Sequence, residues 1–320
     1  MAASPHENLH VCVFGVGGVG GYFGGRLAWR LARQAGPAWH VHFIARGANL
    51  VAIEESGLRL NTPEAQLICT PASAAADMRD LPVPDVVLLC VKGYSLDEAL
   101  GQIAAHCHGE TIVVPLLNGV DIHERIRARL PRARVLPACV VVGTHLDRPG
   151  VVSQAGGDGV IVLGSDPDHP DYVPLRFLSL LEEVGIRYSW FDDPRAAIWE
   201  KYVFISAFGL VTAASRKTLG EVLVDPPLLE DVRGIMSEVV DLAAHEGIAL
   251  DPDVIPRALA KARAFPPETK TSFQRDVEAG GQDEGDLFGG TISRLGERFG
   301  VPTPVTARVY VRVRSGIGAD

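Results

Sequence analysis

His10-Val11-Cys12-Val13-Phe14 runs directly into Gly15-Val16-Gly17-Gly18-Val19-Gly20, and this stretch decides the fold of the first half of the chain. The apolar, β-branched run predicts a buried strand. The Gly-x-Gly-x-x-Gly pattern comes immediately after it, with a helical stretch from Gly21 to Gln34 behind. In that setting Gly15 permits a tight turn, Gly17 lets the backbone approach a pyrophosphate, and Gly20 allows the helix to pack closely on the sheet. The helix N-terminus presents amides to the phosphates. A glycine pattern alone is weak, because Gly-rich turns without ligands are common. With a strand before it and a helix after it, Gly15, Val16, Gly17, Gly18, Val19 and Gly20 read as a dinucleotide-binding loop.

Working outward, short apolar runs recur at 40–44, 86–91 and 111–116, separated by helical stretches at 26–34, 95–106 and 121–130. Alternation of this kind predicts a mainly parallel, doubly wound Rossmann-type sheet with helices on its faces. Runs at 135–144, 151–154, 160–164 and 187–191, with a helix at 172–183, are expected to extend one edge of that sheet. From Pro194 onward the pattern becomes helical, over 195–215, 227–246, 252–263, 286–299 and 303–314. Asp192-Asp193-Pro194 marks the join, since the acidic pair can cap a helix and proline suits its first turn. The expected domains are therefore 1–193, α/β and cofactor-binding, and 194–320, all-helical and substrate-binding. A cleft between two such halves is the default ligand site.

Composition narrows the function classes. The 320 residues carry 47% apolar and 22% charged side chains, which places the chain far from disorder. Thirty basic against 39 acidic residues give a net charge of −9, which disfavours nucleic acid as a partner. No apolar run approaches the ~20 residues of a membrane span, and Met1 to Asn8 lacks the order of a secretory signal. A cytoplasmic protein with no membrane partner is expected, with Met1–Asn8 and Ser315–Asp320 as mobile tails. Cys12, Cys69, Cys90, Cys107 and Cys139 contain no Cys-x-x-Cys pair and read as reduced core residues. His106-Cys107-His108 lacks the spacing of a zinc site, so no metal is expected. Apolar helical faces in the second half suit a homodimer as well as an intramolecular core.

Polar residues at strand ends refine the site. After the second strand comes Ala45-Arg46-Gly47, where an NAD site places an acidic residue on the ribose 2′-hydroxyl. Arg46 has no acceptor for that hydroxyl but pairs well with a 2′-phosphate, which favours NADP(H). Lys92 closes the strand at 86–91 and Asn118 the one at 111–116, both at the carboxyl edge where ligands of open α/β sheets bind. Asn118-Gly119 is equally a common turn. In Trp199-Glu200-Lys201-Tyr202, Lys201 is a lysine inside an apolar helix. It is either a proton donor to a developing alkoxide or half of an exposed pair with Glu200.

Taken together the chain resembles the ketopantoate reductases, the 2-dehydropantoate 2-reductases of pantothenate biosynthesis. The resemblance covers nearly the whole chain. It rests on Gly15 to Gly20, Ile44-Ala45-Arg46-Gly47, Val91-Lys92, Leu117-Asn118-Gly119, Trp199-Glu200-Lys201, and Ser272 followed by Asp276 and Glu284. It implies NADPH-dependent reduction of a 2-oxo acid, with Lys201 as general acid and Glu284 assisting it at the cofactor end. Asn118 and Ser272 would hold substrate, and Lys92 would lie beside the nicotinamide ribose. Without the resemblance, Ser272 and Glu284 would be unremarkable polar residues.

The departures bear on the substrate. Family members typically carry asparagine four and eight residues after the catalytic lysine, and another just before a later Gly-Glu pair. Here those positions are Ile205, Gly209 and Leu219. An apolar wall offers no partner to a substrate hydroxyl, so the 4-hydroxyl of ketopantoate has lost receptors unless another group, such as Ser206, replaces them. Three readings result: ketopantoate as the leading single substrate, a less polar 2-oxo acid, or a protein that senses NADP(H) without turnover. A phosphorylated substrate would want a second basic cluster, and Arg216-Lys217 and Lys261–Arg263 suit solvated helix faces better.

Overall fold

The computed structural model describes residues 8–36 and 38–316, so the two expected tails fall mainly outside it. The chain divides into two compact units. One contains the residues up to Leu117 together with Ile122–Pro194, and the other contains Asn118–Asp121 and the residues from Arg195 onward.

The first unit is built on a six-stranded, all-parallel sheet. Its strands are β1 (Leu9–Phe14), β2 (Trp39–Ile44), β5 (Ser73–Ala75), β6 (Val86–Leu89), β7 (Ile112–Pro115) and β8 (Arg134–Val135), in the order β5-β2-β1-β6-β7-β8. β6 and β7 are buried at every position, as expected of parallel strands covered on both faces. Helices α1 (Gly18–Leu31), α2 (Gly47–Ser56), α3 (Leu96–His106), α4 (Ile122–Arg129) and α5 (Leu175–Glu183) belong to the same unit. All the parallel strands end at one edge, and that edge carries the loops beginning at Gly15, Ala45 and Cys90.

The later strands do not extend this sheet, apart from Arg134–Val135. β3 (Leu58–Asn61), β4 (Gln66–Cys69), β9 (Ala138–Arg148), β10 (Val151–Gly164) and β11 (Arg187–Phe191) form a second sheet. Its path is β11-β10-β3-β4, with β9 antiparallel to β10. The physical reason is the turn Pro149-Gly150, where Gly150 sits at φ +74°. A tight turn of that kind can only return the chain antiparallel, whereas joining a parallel edge needs a long crossover. The runs at 151–154 and 160–164 are then one continuous strand. Helix α1 lies between the two sheets: a Cβ on Gly24 would stand 2.9 Å from Val13, and one on Gly21 would stand 2.5 Å from Val152. The glycines of α1 beyond the loop are thus set by close packing on both sides.

The loop after β10 centres on Asp166, which is fully buried. Its carboxylate accepts from Arg127 at 2.5 and 2.6 Å, from the Val135 amide at 3.0 Å and from the Asp168 amide at 3.1 Å, and it bonds His169 at 3.0 Å. Burial alone would raise its pKa, but hydrogen bonds from His123, Arg127 and His169 outweigh it and hold the group well below the usual carboxylate range. The buried thiols are pushed the other way, Cys69 up to about 12.

The second unit is helical: α6 (Arg195–Ser215), α7 (Leu219–Val224), α8 (Pro226–His245), α9 (Val254–Arg263), α10 (Ser272–Glu278), α11 (Gly289–Phe299) and α12 (Pro304–Ser315). Its core joins Tyr202, Phe208, Val239, Leu242, Phe273 and Phe288. Helix ends are satisfied by side chains. Thr218 and Glu221 form a capping box on α7, and Thr271 accepts from the Gln274 amide. Glu238 of α8 accepts from the Val305 and Thr306 amides at the start of α12. Contrary to the sequence expectation, α6 is long and apolar enough to cross a membrane by length and composition. In this fold 61% of that apolar stretch is buried in the protein, as befits a core helix.

Candidate active site

The glycine loop separates into positions fixed by the chain itself and one that is not. At Gly15, φ is +94°, and a Cβ would stand 3.0 Å from Val91. One on Gly20 would stand 2.0 Å from the Gly15 carbonyl oxygen, and one on Gly18 would stand 2.9 Å from the Thr144 carbonyl oxygen on β9. Around Gly17 nothing comes within 4 Å. Gly17 is also the N-cap of α1, with no side-chain hydrogen bond to the first helical amides. An open backbone position at a helix N-terminus is the geometry that receives a pyrophosphate. Beside it, Thr144 Oγ1 is buried and has no hydrogen-bond partner among the described residues. The loop therefore fits a dinucleotide.

A residue the sequence reading missed holds this loop. Asn49 Nδ2 donates to the Val16 carbonyl at 2.7 Å, while Asn49 Oδ1 accepts from the Gly150 amide at 2.7 Å. One amide thus ties the phosphate loop to the β9–β10 turn. Its only sequence signal is its place in the first turn after Arg46. Arg46 stands at the N-cap of α2, immediately beyond β2. Its guanidinium forms a two-pronged pair with Glu98 of α3, at 2.7 and 2.9 Å, and both side chains are about half exposed. Lys92 is half-buried after β6 and caps a single 3-10 turn at 93–95, where its carbonyl accepts from the Ser95 amide at 2.9 Å.

In the helical unit the structure brings Lys201 and Asn118 together. Lys201 Nζ donates to Asn118 Oδ1 at 2.9 Å, and Lys201 is half-buried. Glu200 instead pairs with Arg257 at 2.8 Å on the exposed side of α6. The alternatives for Lys201 thus separate, since its neighbour's carboxylate is turned elsewhere. Asn118 is held in place by the short segment on its C-terminal side. Gly119 takes φ +119°, and Asp121 Oδ2 accepts from Thr291 Oγ1 at 3.2 Å and from Arg294 at 3.4 Å. Asp121, Thr291 and Arg294 were not singled out from the sequence, because nothing local marks them.

Glu284 is buried, with 4% of its surface exposed, and starts the 3-10 turn at 285–287. The carbonyl of Leu287 in that turn accepts from Tyr202 Oη at 2.7 Å, which fastens it to the residue beside Lys201. Burial pushes the Tyr202 phenol well above its ordinary value, so it stays a neutral donor. Ser272 is exposed at the start of α10, between two residues that anchor this helix to α6. Thr271 shares a hydrogen bond with Thr212 at 2.9 Å, and Phe273 lies 3.7 Å from where a Cβ on Gly209 would be.

The departing positions divide. Ile205 and Gly209 stand four and eight residues after Lys201, on the same face of α6. Leu219 is buried in the apolar core, with 2% exposed. Ser206 does not replace a lost asparagine: it is fully buried, and its hydroxyl donates to the Tyr202 carbonyl at 2.6 Å. Among the described residues no three His, Cys, Asp or Glu side chains converge as a metal set would.

Comparison with known proteins matches most of the chain in both units. A family model described as ketopantoate reductase PanE/ApbA covers residues 11–168, and the C-terminal model of the same family covers residues 193–316. The chain belongs to this family. It is an NADP-dependent oxidoreductase acting on a CH–OH group, and it reduces 2-oxo acids. A 2-dehydropantoate 2-reductase of Mesorhizobium japonicum is 28% identical over 326 aligned residues, covering 96% of this chain and 97% of that protein. The crystal structure of a PanE/ApbA family ketopantoate reductase from Ralstonia eutropha JMP134 superposes with a TM-score of 0.86 at 27% identity, covering 96% of this chain and 98% of that one. A D-mandelate dehydrogenase solved with NADH and anilino(oxo)acetate shares the fold, with a TM-score of 0.84 at 22% identity over 96% of this chain and 98% of that one.

Proposed function

We propose that this chain reduces 2-dehydropantoate (ketopantoate) to pantoate, with Lys201 as the proton donor. The observation that carries the reading is the 2.9 Å hydrogen bond from Lys201 Nζ to Asn118 Oδ1. It holds the ammonium in one orientation on an otherwise apolar helix face. The amide oxygen of Asn118 accepts one of the three ammonium protons, and an ammonium so oriented is suited to donate to a substrate carbonyl oxygen. As the carbonyl carbon is reduced, charge develops on that oxygen, and Lys201 transfers a proton to it. Glu284 takes the role of assisting Lys201, and Ser272 the role of binding substrate. NADPH, held by Gly15 to Gly20 with Arg46 on its 2′-phosphate and Lys92 near its nicotinamide ribose, supplies the hydride when bound.

A second reading is favoured by Ile205, Gly209 and Leu219, which are apolar where family members carry asparagine, the first two on the Lys201 face of α6. It takes a 2-oxo acid without a 4-hydroxyl, since apolar walls lower the penalty for a missing hydroxyl. Both readings are tested by following NADPH oxidation with ketopantoate and with 2-oxo acids lacking that hydroxyl. Lys201→Ala is assayed alongside, and its kcat is expected to fall ~10²- to 10⁴-fold. Preference for ketopantoate supports the first reading, and preference for the apolar acids supports the second. No lysine-dependent turnover with any of them would overturn both and leave an NADP(H) sensor.

A further inference from the structure

Arg46 faces two claimants. Its guanidinium already holds the Glu98 carboxylate in a fork at 2.7 and 2.9 Å. A guanidinium engaged in this way has its end-on Nη1–Nη2 fork committed to a carboxylate, one of the two forks with which it can recognise a phosphate. Glu98 comes from α3, an element apart from the β2–α2 loop that carries Arg46, and Asp97 beside it adds a second negative charge in the first turn of that helix.

We propose that Glu98 is a specificity-determining residue that weakens discrimination between NADPH and NADH by competing with the 2′-phosphate for Arg46. This rests on the assignment of Arg46 to the 2′-phosphate. A 2′-phosphate carries nearly two negative charges at neutral pH, so its arrival sets it against the Glu98 carboxylate held on the same guanidinium, and taking the end-on fork requires that pair to open. A ribose 2′-hydroxyl makes no such demand. It needs an acceptor, and the Glu98 carboxylate supplies the one that β2 lacks, since Ala45-Arg46-Gly47 holds no acidic residue. Arg46 draws the phosphorylated cofactor while Glu98 opposes it and favours the other. Because the pair is half exposed, opening it costs little. Glu98 therefore sets the degree of preference and leaves its direction to Arg46.

The test uses the ligand-free protein and calorimetric binding of 2′,5′-ADP and 5′-ADP, with NADPH and NADH as the full-length pair. In Glu98→Gln and Glu98→Ala, the ratio of the two dissociation constants is expected to move about fivefold toward 2′,5′-ADP, the size of a partly exposed ion pair. Thermal unfolding of each variant confirms that it is folded. An unchanged ratio in both folded variants would overturn the proposal. Arg46→Gln distinguishes a failure of the underlying assignment. In that variant the preference for 2′,5′-ADP over 5′-ADP should disappear, and its persistence would show that Arg46 does not read the phosphate.

Discussion

Acid should weaken the first unit through one imidazole, and the effect can be isolated. His42 of β2 is buried, with 5% of its surface exposed. Its Nε2 shares a 2.9 Å hydrogen bond with His10 Nδ1, and its Nδ1 bonds Ser73 Oγ at 2.8 Å. Both bonds suit a neutral ring. Burial first, and then the neighbouring His10 and His40, lower its pKa from 6.5 to about 4. The unfolded chain therefore binds a proton more readily than the folded one. Stability from this group is complete above the unfolded pKa and is lost as the pH falls from there through the folded value.

At roughly 1.4 kcal/mol per pK unit, the full loss is about 3 kcal/mol below pH ~4, of which about 2 kcal/mol is gone by pH ~5. The carboxylate of Asp166 is lowered instead of raised, so its contribution is constant across that window and declines only at lower pH. His10 is lowered as well, so the two rings titrate as a coupled pair. The assay compares urea unfolding of wild type and His42→Asn from about pH 7.5 to about pH 5, where Asn keeps an amide near Ser73 but cannot titrate. The variant should be the less stable at the upper end, with the gap closing by about 2 kcal/mol toward pH ~5. A gap that stays constant over this range, with equal unfolding slopes, would refute the reasoning.

Two further changes separate binding from folding. Gly17→Ala meets no atom within 4 Å and should leave thermal stability unchanged while weakening NADPH binding, measured by titration of cofactor fluorescence. Gly20→Ala would place a Cβ 2.0 Å from the Gly15 carbonyl oxygen, so it should lower both stability and binding. Replacing Asp166 with Asn removes the buried one of Arg127's two carboxylate partners and leaves it only the exposed Asp168, and a loss of ~2–3 kcal/mol in urea unfolding is expected. A loss under ~1 kcal/mol would mean that the cluster relaxes onto water.

Much of the fold was legible because the relevant signals are local. The strands β1, β2, β6 and β7 announce themselves as apolar runs, and the glycine loop lies between one of them and a helix. The helical pattern of α6 has the same limits as the observed helix, Arg195 and Ser215. The second sheet was not legible. β3 and β4 are four residues each and pair through a register that no neighbouring residue states. The partner of β10 depends on a turn at Pro149-Gly150, whose consequence for topology appears only once the strands on either side are paired. α7 and α10 were missed because they have six and seven residues, too few for a helical period to emerge.

The candidate site obeys the same rule, and its departures from the family show why position in sequence is an incomplete guide to position in space. Ile205, Gly209 and Leu219 look equivalent when written as three missing asparagines. Two of them recur at helical spacing after Lys201, and a change there alters the face that carries that lysine. The third is different: Leu219 is buried in the apolar core at the start of α7, with its amide donating to the Thr269 carbonyl at 2.9 Å. An asparagine in that apolar core would need hydrogen-bond partners for its amide, so leucine is the residue the core selects. Gly209 is different again: a Cβ there would meet Phe273 of α10 at 3.7 Å, an ordinary contact, so the backbone leaves room for the first atom of a side chain. The surroundings of Gly209 are thus set by α10 as well as by α6, through Phe273 and the hydrogen bond between Thr212 and Thr271. Restoring asparagine at 209 would set its first side-chain atom beside the Phe273 ring at ordinary contact distance, so the thermal stability of Gly209→Asn reports whether α6 and α10 leave room there for a polar side chain.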